Sequence, residues 1–71
     1  MSHELKVNGV VKQYDASNMP RTISDLLEQM NISQATVVAE LDGDIIQRRD
    51  FANTQIQPGQ TIELVRFVGG G

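Results

Sequence analysis

The stretch HELKVNGVVKQY, from His3 to Tyr14, decides the fold of this chain. Its first half alternates apolar and polar side chains, which is the two-residue period of a strand with one buried face. Asn8-Gly9 comes next, and this pair favours a type I′ hairpin turn because both central residues need positive φ. Val10 to Tyr14 therefore predicts the returning strand. A hairpin with one apolar face needs another element to cover that face.

The segment from Thr22 to Met30 predicts that covering element, after a loop from Asp15 to Arg21. Thr22 can cap the first free N–H groups of a helix, and Asp25 stands at the third helical position, as in an acidic version of the capping box. The apolar residues recur at i, i+3, i+4 and i+7, which gives one stripe of an amphipathic helix; they are Ile23, Leu26, Leu27 and Met30. Asn31 is predicted to end the helix.

The rest of the chain predicts three more strands separated by turns. The strands run from Thr36 to Leu41, from Ile45 to Ile46 and from Thr61 to Val68. Asp42-Gly43-Asp44 and Gln57-Pro58-Gly59-Gln60 predict the turns, and Gln47 to Asn53 predicts a single helical turn. One helix lying across one sheet is the economical way to bury these stripes. The sequence therefore indicates an α+β fold, with a mixed sheet of four to five strands and one main helix on one face.

The composition of the chain argues against several classes of function. Seventy-one residues make one small domain, which leaves little room for a deep catalytic cleft. The chain has no cysteine and a single histidine, His3, so a metal centre or nucleophilic catalysis is hard to assemble. Nine acidic residues outnumber six basic ones, and a basic stripe for nucleic acid is absent from the sequence. No apolar run approaches the roughly 20 residues that span a bilayer. We expect a cytoplasmic monomer without nucleic-acid or membrane partners.

The last predicted strand leaves two alternatives open. Ile62 and Leu64 share one face, and Val65 and Phe67 share the other. The second pair is either buried by loops, as in a central strand, or exposed as an apolar docking patch. Gly69, Gly70 and Gly71 follow Val68, and we expect residues 69–71 to form a flexible tail after a domain of residues 1–68. From Val68 to Gly71 such a thread reaches roughly 13 Å, so the Gly71 carboxylate is the best candidate for a reacting group.

These residues resemble a known family. The helix from Thr22 to Met30, the segment from Val38 to Phe51 and the ending Glu63 to Gly71 are similar to the sulfur carrier protein of thiamin biosynthesis. The resemblance implies a ubiquitin-like β-grasp fold with the first and last strands adjacent and parallel. It also implies that the protein is a co-substrate of partner enzymes rather than an enzyme.

The resemblance further implies how that family works. An E1-like adenylating enzyme consumes ATP to join the Gly71 carboxylate to AMP, and sulfur from a cysteine desulfurase or persulfide donor then gives a thiocarboxylate. Thiazole synthase takes up that sulfur. Gly69 and Gly70 would thread into the partner's active site, and Val65, Phe67 and Val68 would dock on its surface. No cofactor would be bound. The alternatives are the small subunit of molybdopterin synthase, a noncovalent ubiquitin-like interaction module and, less compatible with the residues present, a small stand-alone enzyme.

Overall fold

A computed structural model describes residues 3–67 as one mixed sheet with one α-helix packed on it. The elements in chain order are β1 (His3–Val7), β2 (Val10–Tyr14), α1 (Ile23–Gln29), β3 (Val37–Leu41), β4 (Asp44–Ile46) and β5 (Thr61–Arg66), with short 3-10 turns at Gln34–Thr36 and Arg48–Asp50. None of the helices within this range has the length and apolar character that crossing a bilayer requires.

The sheet has the strand order β2-β1-β5-β3-β4. β1 and β5 are parallel neighbours at its centre, with Val7 beside Ile62, and all the other strand pairs are antiparallel. Parallel strands need a long crossover, and the segment between β1 and β5 provides it with the remaining strands and α1. This topology confirms the predicted β-grasp fold.

The predicted hairpin is confirmed in detail. Asn8 has φ of 51° and Gly9 has φ of 82°, both in the left-handed region that the turn requires. The register pairs Val7 with Val10 and Leu5 with Lys12. Leu5 and Val7 are consequently buried against the helix, and Lys6 and Val11 lie on the opposite, outer face of the sheet.

Local hydrogen bonds define both ends of α1. The Thr22 hydroxyl oxygen accepts the Asp25 amide at 3.1 Å, as predicted. The Asp25 carboxylate accepts the Arg21 amide at 3.2 Å, one residue earlier than in a capping box. At the other end Asn31 has φ of 58°, and the amide of Ile32 donates to the Leu27 carbonyl at 2.9 Å. These contacts form a Schellman motif with asparagine in the left-handed position.

The core lies between α1 and the inner face of the sheet. Ile23, Leu26 and Leu27 have no exposed surface, which confirms the predicted apolar stripe. Phe51, from the mostly polar segment after β4, is only 1% exposed and belongs to the core. The buried hydrophobic residues are Leu5, Val7, Ile23, Leu26, Leu27, Val37, Ala39, Leu41, Phe51, Ile56, Ile62 and Leu64.

Three strand boundaries differ from the sequence prediction. β4 begins at Asp44 rather than Ile45, because Asp44 pairs with Leu41 of β3. β3 begins at Val37 rather than Thr36, because the Thr36 amide closes a 3-10 turn onto the Ser33 carbonyl at 3.1 Å. β5 ends at Arg66 rather than Val68. The Phe67 amide still donates to the Thr36 carbonyl at 3.1 Å, but Thr36 belongs to the 3-10 turn before β3 and not to the strand.

Candidate partner-docking and modification site

The outer face of the sheet carries an exposed apolar patch where β5 ends. Val65 is 56% exposed, Phe67 50% and Val38, the cross-strand partner of Val65, 38%. We call these three residues the tail-side patch. The alternative in which loops bury this face is wrong, because about half of the Val65 and Phe67 surface remains exposed. The predicted docking residues Val65 and Phe67 therefore lie together on an accessible surface.

The remaining predicted site residues lie outside the described range. They are Val68, Gly69, Gly70 and Gly71. Their predicted roles in docking, threading and modification stay predictions, as does the domain boundary at residue 68. Phe67 directly precedes them in the chain, so any partner that takes the glycine run must come close to the tail-side patch.

The side chains of two turn residues, Asn8 and Asp42, form hydrogen bonds with β5 and the residue before it. The Asn8 Oδ1 atom accepts the Leu64 amide at 2.7 Å, just where β1 has ended and can no longer supply a ladder partner. Asp42 Oδ1 accepts the Thr61 amide at 2.9 Å, and Asp42 Oδ2 accepts the Gln60 side-chain amide at 3.0 Å. Turn patterns alone carry no signal for contacts across such long sequence separations.

Other candidate chemical groups are not gathered into a site. His3 starts β1 and lines a groove of about 520 Å³ near Met19, Pro20, Ile56 and Pro58, at the end of the sheet opposite Phe67. Within residues 3–67 there is no group of three or more histidine and carboxylate residues that could hold a metal ion. Arg48, Arg49 and Asp50 form an exposed 3-10 turn.

The fold and the exposed end of β5 define a ubiquitin-like β-grasp protein. The ThiS family model matches residues 5–71, which is nearly the whole chain and includes the glycine run. The chain therefore belongs to the ThiS family, and the resemblance seen in the sequence is confirmed at that level. The match favours a thiamin-pathway carrier over the small subunit of molybdopterin synthase.

Solved structures and a curated relative agree with this placement. The crystal structure of the thiamine biosynthesis protein ThiS from Geobacter metallireducens is 32% identical, with a TM-score of 0.79 over 96% of this chain and 99% of that one. The solution structure of a thiamine biosynthesis protein from the same organism gives 32% identity and a TM-score of 0.75, over 96% of this chain and 87% of that one. A thiazole synthase from Paramagnetospirillum magneticum (strain ATCC 700264 / AMB-1) is 28% identical over 68 residues. That match covers 96% of this chain and 20% of the relative, so the chain spans about a fifth of that protein's length.

Proposed function

We propose that this chain is a sulfur carrier of thiamin biosynthesis whose Gly71 carboxylate receives the sulfur. The observation that carries the proposal is the ThiS family match, which runs through the glycine run to Gly71. The exposed tail-side patch immediately before that run supports it, because a carrier needs a surface that its partner enzymes can hold.

The chemistry begins with activation of the carboxylate. A carboxylate resists nucleophilic attack because it is anionic and has no good leaving group. An adenylating enzyme joins its oxygen to the AMP part of ATP and releases pyrophosphate, which turns that oxygen into part of a leaving group. A persulfide formed from cysteine by a desulfurase then attacks the carbonyl carbon and expels AMP. A second thiol of the partner then attacks the partner's own sulfur in the resulting S–S bond, so a disulfide forms on the partner and the thiocarboxylate leaves with the carrier.

The sulfur acceptor in this proposal is thiazole synthase. The similarity to a protein named thiazole synthase supports this choice, because one segment of that relative resembles almost the whole of this chain. All the catalytic groups belong to the partners, and ATP is consumed by the adenylating enzyme. The chain acts as a co-substrate and needs neither a thiol nor a bound cofactor of its own.

The test is intact-protein mass spectrometry of the 71-residue chain. Incubation with the adenylating enzyme of the same organism, ATP, cysteine and a desulfurase should add the mass difference between one sulfur and one oxygen. Deletion of Gly71 should abolish the change, and Val10→Ser, an exposed substitution on the edge strand β2, should preserve it. If the chain without Gly71 supports thiazole formation normally, the carrier proposal fails and the noncovalent module is favoured.

A further inference from the structure

The hairpin turn between β1 and β2 contains a residue pair that can react without an enzyme. The backbone nitrogen after an asparagine can attack the side-chain amide carbon, and a glycine there hinders the attack least because it has no Cβ. Asn8 and Gly9 form such a pair, and both residues are exposed to water. The other asparagines precede larger residues, in Asn18-Met19, Asn31-Ile32 and Asn53-Thr54.

The reaction is a deamidation that consumes only water. The Gly9 nitrogen loses its proton to solvent and bonds to the Asn8 Cγ atom, the bond from Cγ to Nδ2 breaks, and the nitrogen that leaves takes up a proton as ammonia. Water then opens the succinimide ring at either of its two carbonyl carbons. Cleavage of the bond from Cγ to the Gly9 nitrogen gives an aspartyl residue. Cleavage on the other side gives an isoaspartyl residue, in which the main chain runs through Cβ and Cγ.

The conformation of the turn opposes closure of that ring. The Asn8 Cβ atom and the Gly9 nitrogen must lie on the same side of the Asn8 Cα–C bond before the ring can form. The first central residue of a type I′ turn has ψ of about +30°, which puts these two atoms on opposite sides. Asn8 has φ of 51° and Gly9 has φ of 82°, as this turn requires. The folded hairpin therefore holds the two reacting atoms apart.

Two hydrogen bonds to β5 keep Asn8 in this conformation. The Asn8 amide donates to the Ile62 carbonyl at 3.0 Å, and the Asn8 Oδ1 atom accepts the Leu64 amide at 2.7 Å. Rotation about the Asn8 Cα–C bond also moves Gly9, and with it the pairing of Val7 with Val10. The ring can therefore close only after local opening of the turn.

We propose that Asn8 is a site of spontaneous deamidation and that opening of the hairpin turn limits its rate. The aspartyl product keeps an oxygen acceptor for the Leu64 amide. The isoaspartyl product adds a methylene group to the main chain of a two-residue turn, and its free carboxylate is attached directly to Cα, so the acceptor is displaced from Leu64. Modification of Asn8 in this form thus loosens β5 on the way to Phe67. This inference does not depend on the proposed function.

The test incubates the full chain at mildly alkaline pH and follows the replacement of an amide by a hydroxyl group by mass spectrometry, with peptide mapping to locate it. Asn8 should be modified faster than the three other asparagines together. The folded chain should react at least about tenfold more slowly than the chain in strong urea, because opening must break both hydrogen bonds. Asn8→Asp has no amide to lose at this position and should show no comparable mass change.

A second measurement tests the consequence for β5. The isoaspartyl form, separated by ion-exchange chromatography, should exchange the Leu64 amide hydrogen several-fold faster than the unmodified chain, whereas Asn8→Asp should exchange it at nearly the unmodified rate. Equal deamidation rates in the folded and unfolded chain, or faster reaction at another asparagine, would overturn the proposed site and its control by the turn. Unchanged exchange at Leu64 in the isoaspartyl form would overturn the proposed effect on β5.

Discussion

The Asn8 side-chain oxygen accepts a hydrogen bond from the Leu64 amide at 2.7 Å and so joins two residues 56 positions apart. Asn8 also supplies the first positive φ of the hairpin turn, so one residue both closes the hairpin and extends the hydrogen bonding of β5. The contact lies where β5 has passed the end of β1. On the side that faces β1, the part of β5 that leads to the glycine run is therefore held by a hydrogen bond to this turn.

Replacement of Asn8 tests this contact. Asn8→Gly keeps the left-handed turn but removes the acceptor, so we expect a loss of about 0.5–1.5 kcal/mol in the free energy of unfolding. Amide hydrogen exchange at Leu64 should become faster. Asn8→Asp retains an oxygen acceptor and tolerates positive φ, so it serves as the control. Unchanged exchange at Leu64 in the glycine variant would show that the hydrogen bond does not hold the strand.

Replacement of Thr22 tests the start of α1. Thr22→Ala removes the acceptor of the Asp25 amide and should cost about 1 kcal/mol of stability, measured by urea unfolding. Thr22→Ser keeps a hydroxyl at the same position and should recover most of the loss. Equal destabilisation by both substitutions would point to the threonine methyl group rather than to the cap.

Phe51 tests the contribution of the segment after β4. The ring is 1% exposed, so Phe51→Ala should lower the free energy of unfolding by about 3–5 kcal/mol. The total stability of such a domain is only about 0.05–0.15 kcal/mol per residue, so this variant should be largely or partly unfolded at moderate temperature. Phe51→Leu leaves a smaller cavity and should lose clearly less. A small effect of the alanine variant in thermal unfolding would contradict the central position of this ring.

The tail-side patch should matter for binding and little for folding. Val65→Ser/Phe67→Ser removes exposed apolar surface, so each substitution should change stability by no more than about 0.5 kcal/mol. The KM of the adenylation reaction for the carrier should rise several-fold, because the partner loses its apolar contacts. Val10→Ser is the matched control, since Val10 is 60% exposed on the edge strand β2, which does not adjoin β5. A KM unchanged by the double substitution would exclude the patch from the interface.

Tyr14 gives a pH dependence that can be followed by spectroscopy. Burial raises the pKa of the Tyr14 hydroxyl above its usual value of about 10. The folded state therefore holds this proton more tightly than the unfolded state. The resulting contribution to the free energy of unfolding is fully present below the unfolded pKa and is lost as the pH rises through the folded pKa. Tyr14→Phe should make the decline of stability at alkaline pH less steep. As the sole tyrosine of the chain, its ionisation can be read from ultraviolet absorbance, and an unshifted titration would contradict this.

Patterns that are local in sequence predicted most of the fold. The alternation in His3–Val7, the Asn8-Gly9 turn and the apolar stripe of α1 each depend on neighbouring residues, and the structure confirms all three. The central parallel pairing of β1 with β5 came from family resemblance, because alternation fixes the faces of a strand but not its neighbours. The sequence does not predict the end of β5 at Arg66, since β propensity continues into Phe67 although Thr36, its hydrogen-bond partner, belongs to a 3-10 turn.

The candidate site was predictable only in part. Alternation placed Val65 and Phe67 on one face, and the structure shows that both side chains are exposed there, whereas their role in docking stays a prediction. The hydrogen bonds from Asn8 and Asp42 to β5 could not be predicted from the sequence, because the preference of both residues for turns already explains their positions. The facing of Val38 and Val65 depends on the register between β3 and β5, which no single stretch of sequence specifies.

The central placement of β5 has a mechanical consequence. A force that draws the chain away beyond Phe67 runs along the strand axis, so the rungs that join β5 to β1 and β3 are loaded in shear and must yield together rather than one after another. Separation of β5 from the sheet therefore requires the hydrogen bonds of both ladders to break at nearly the same time.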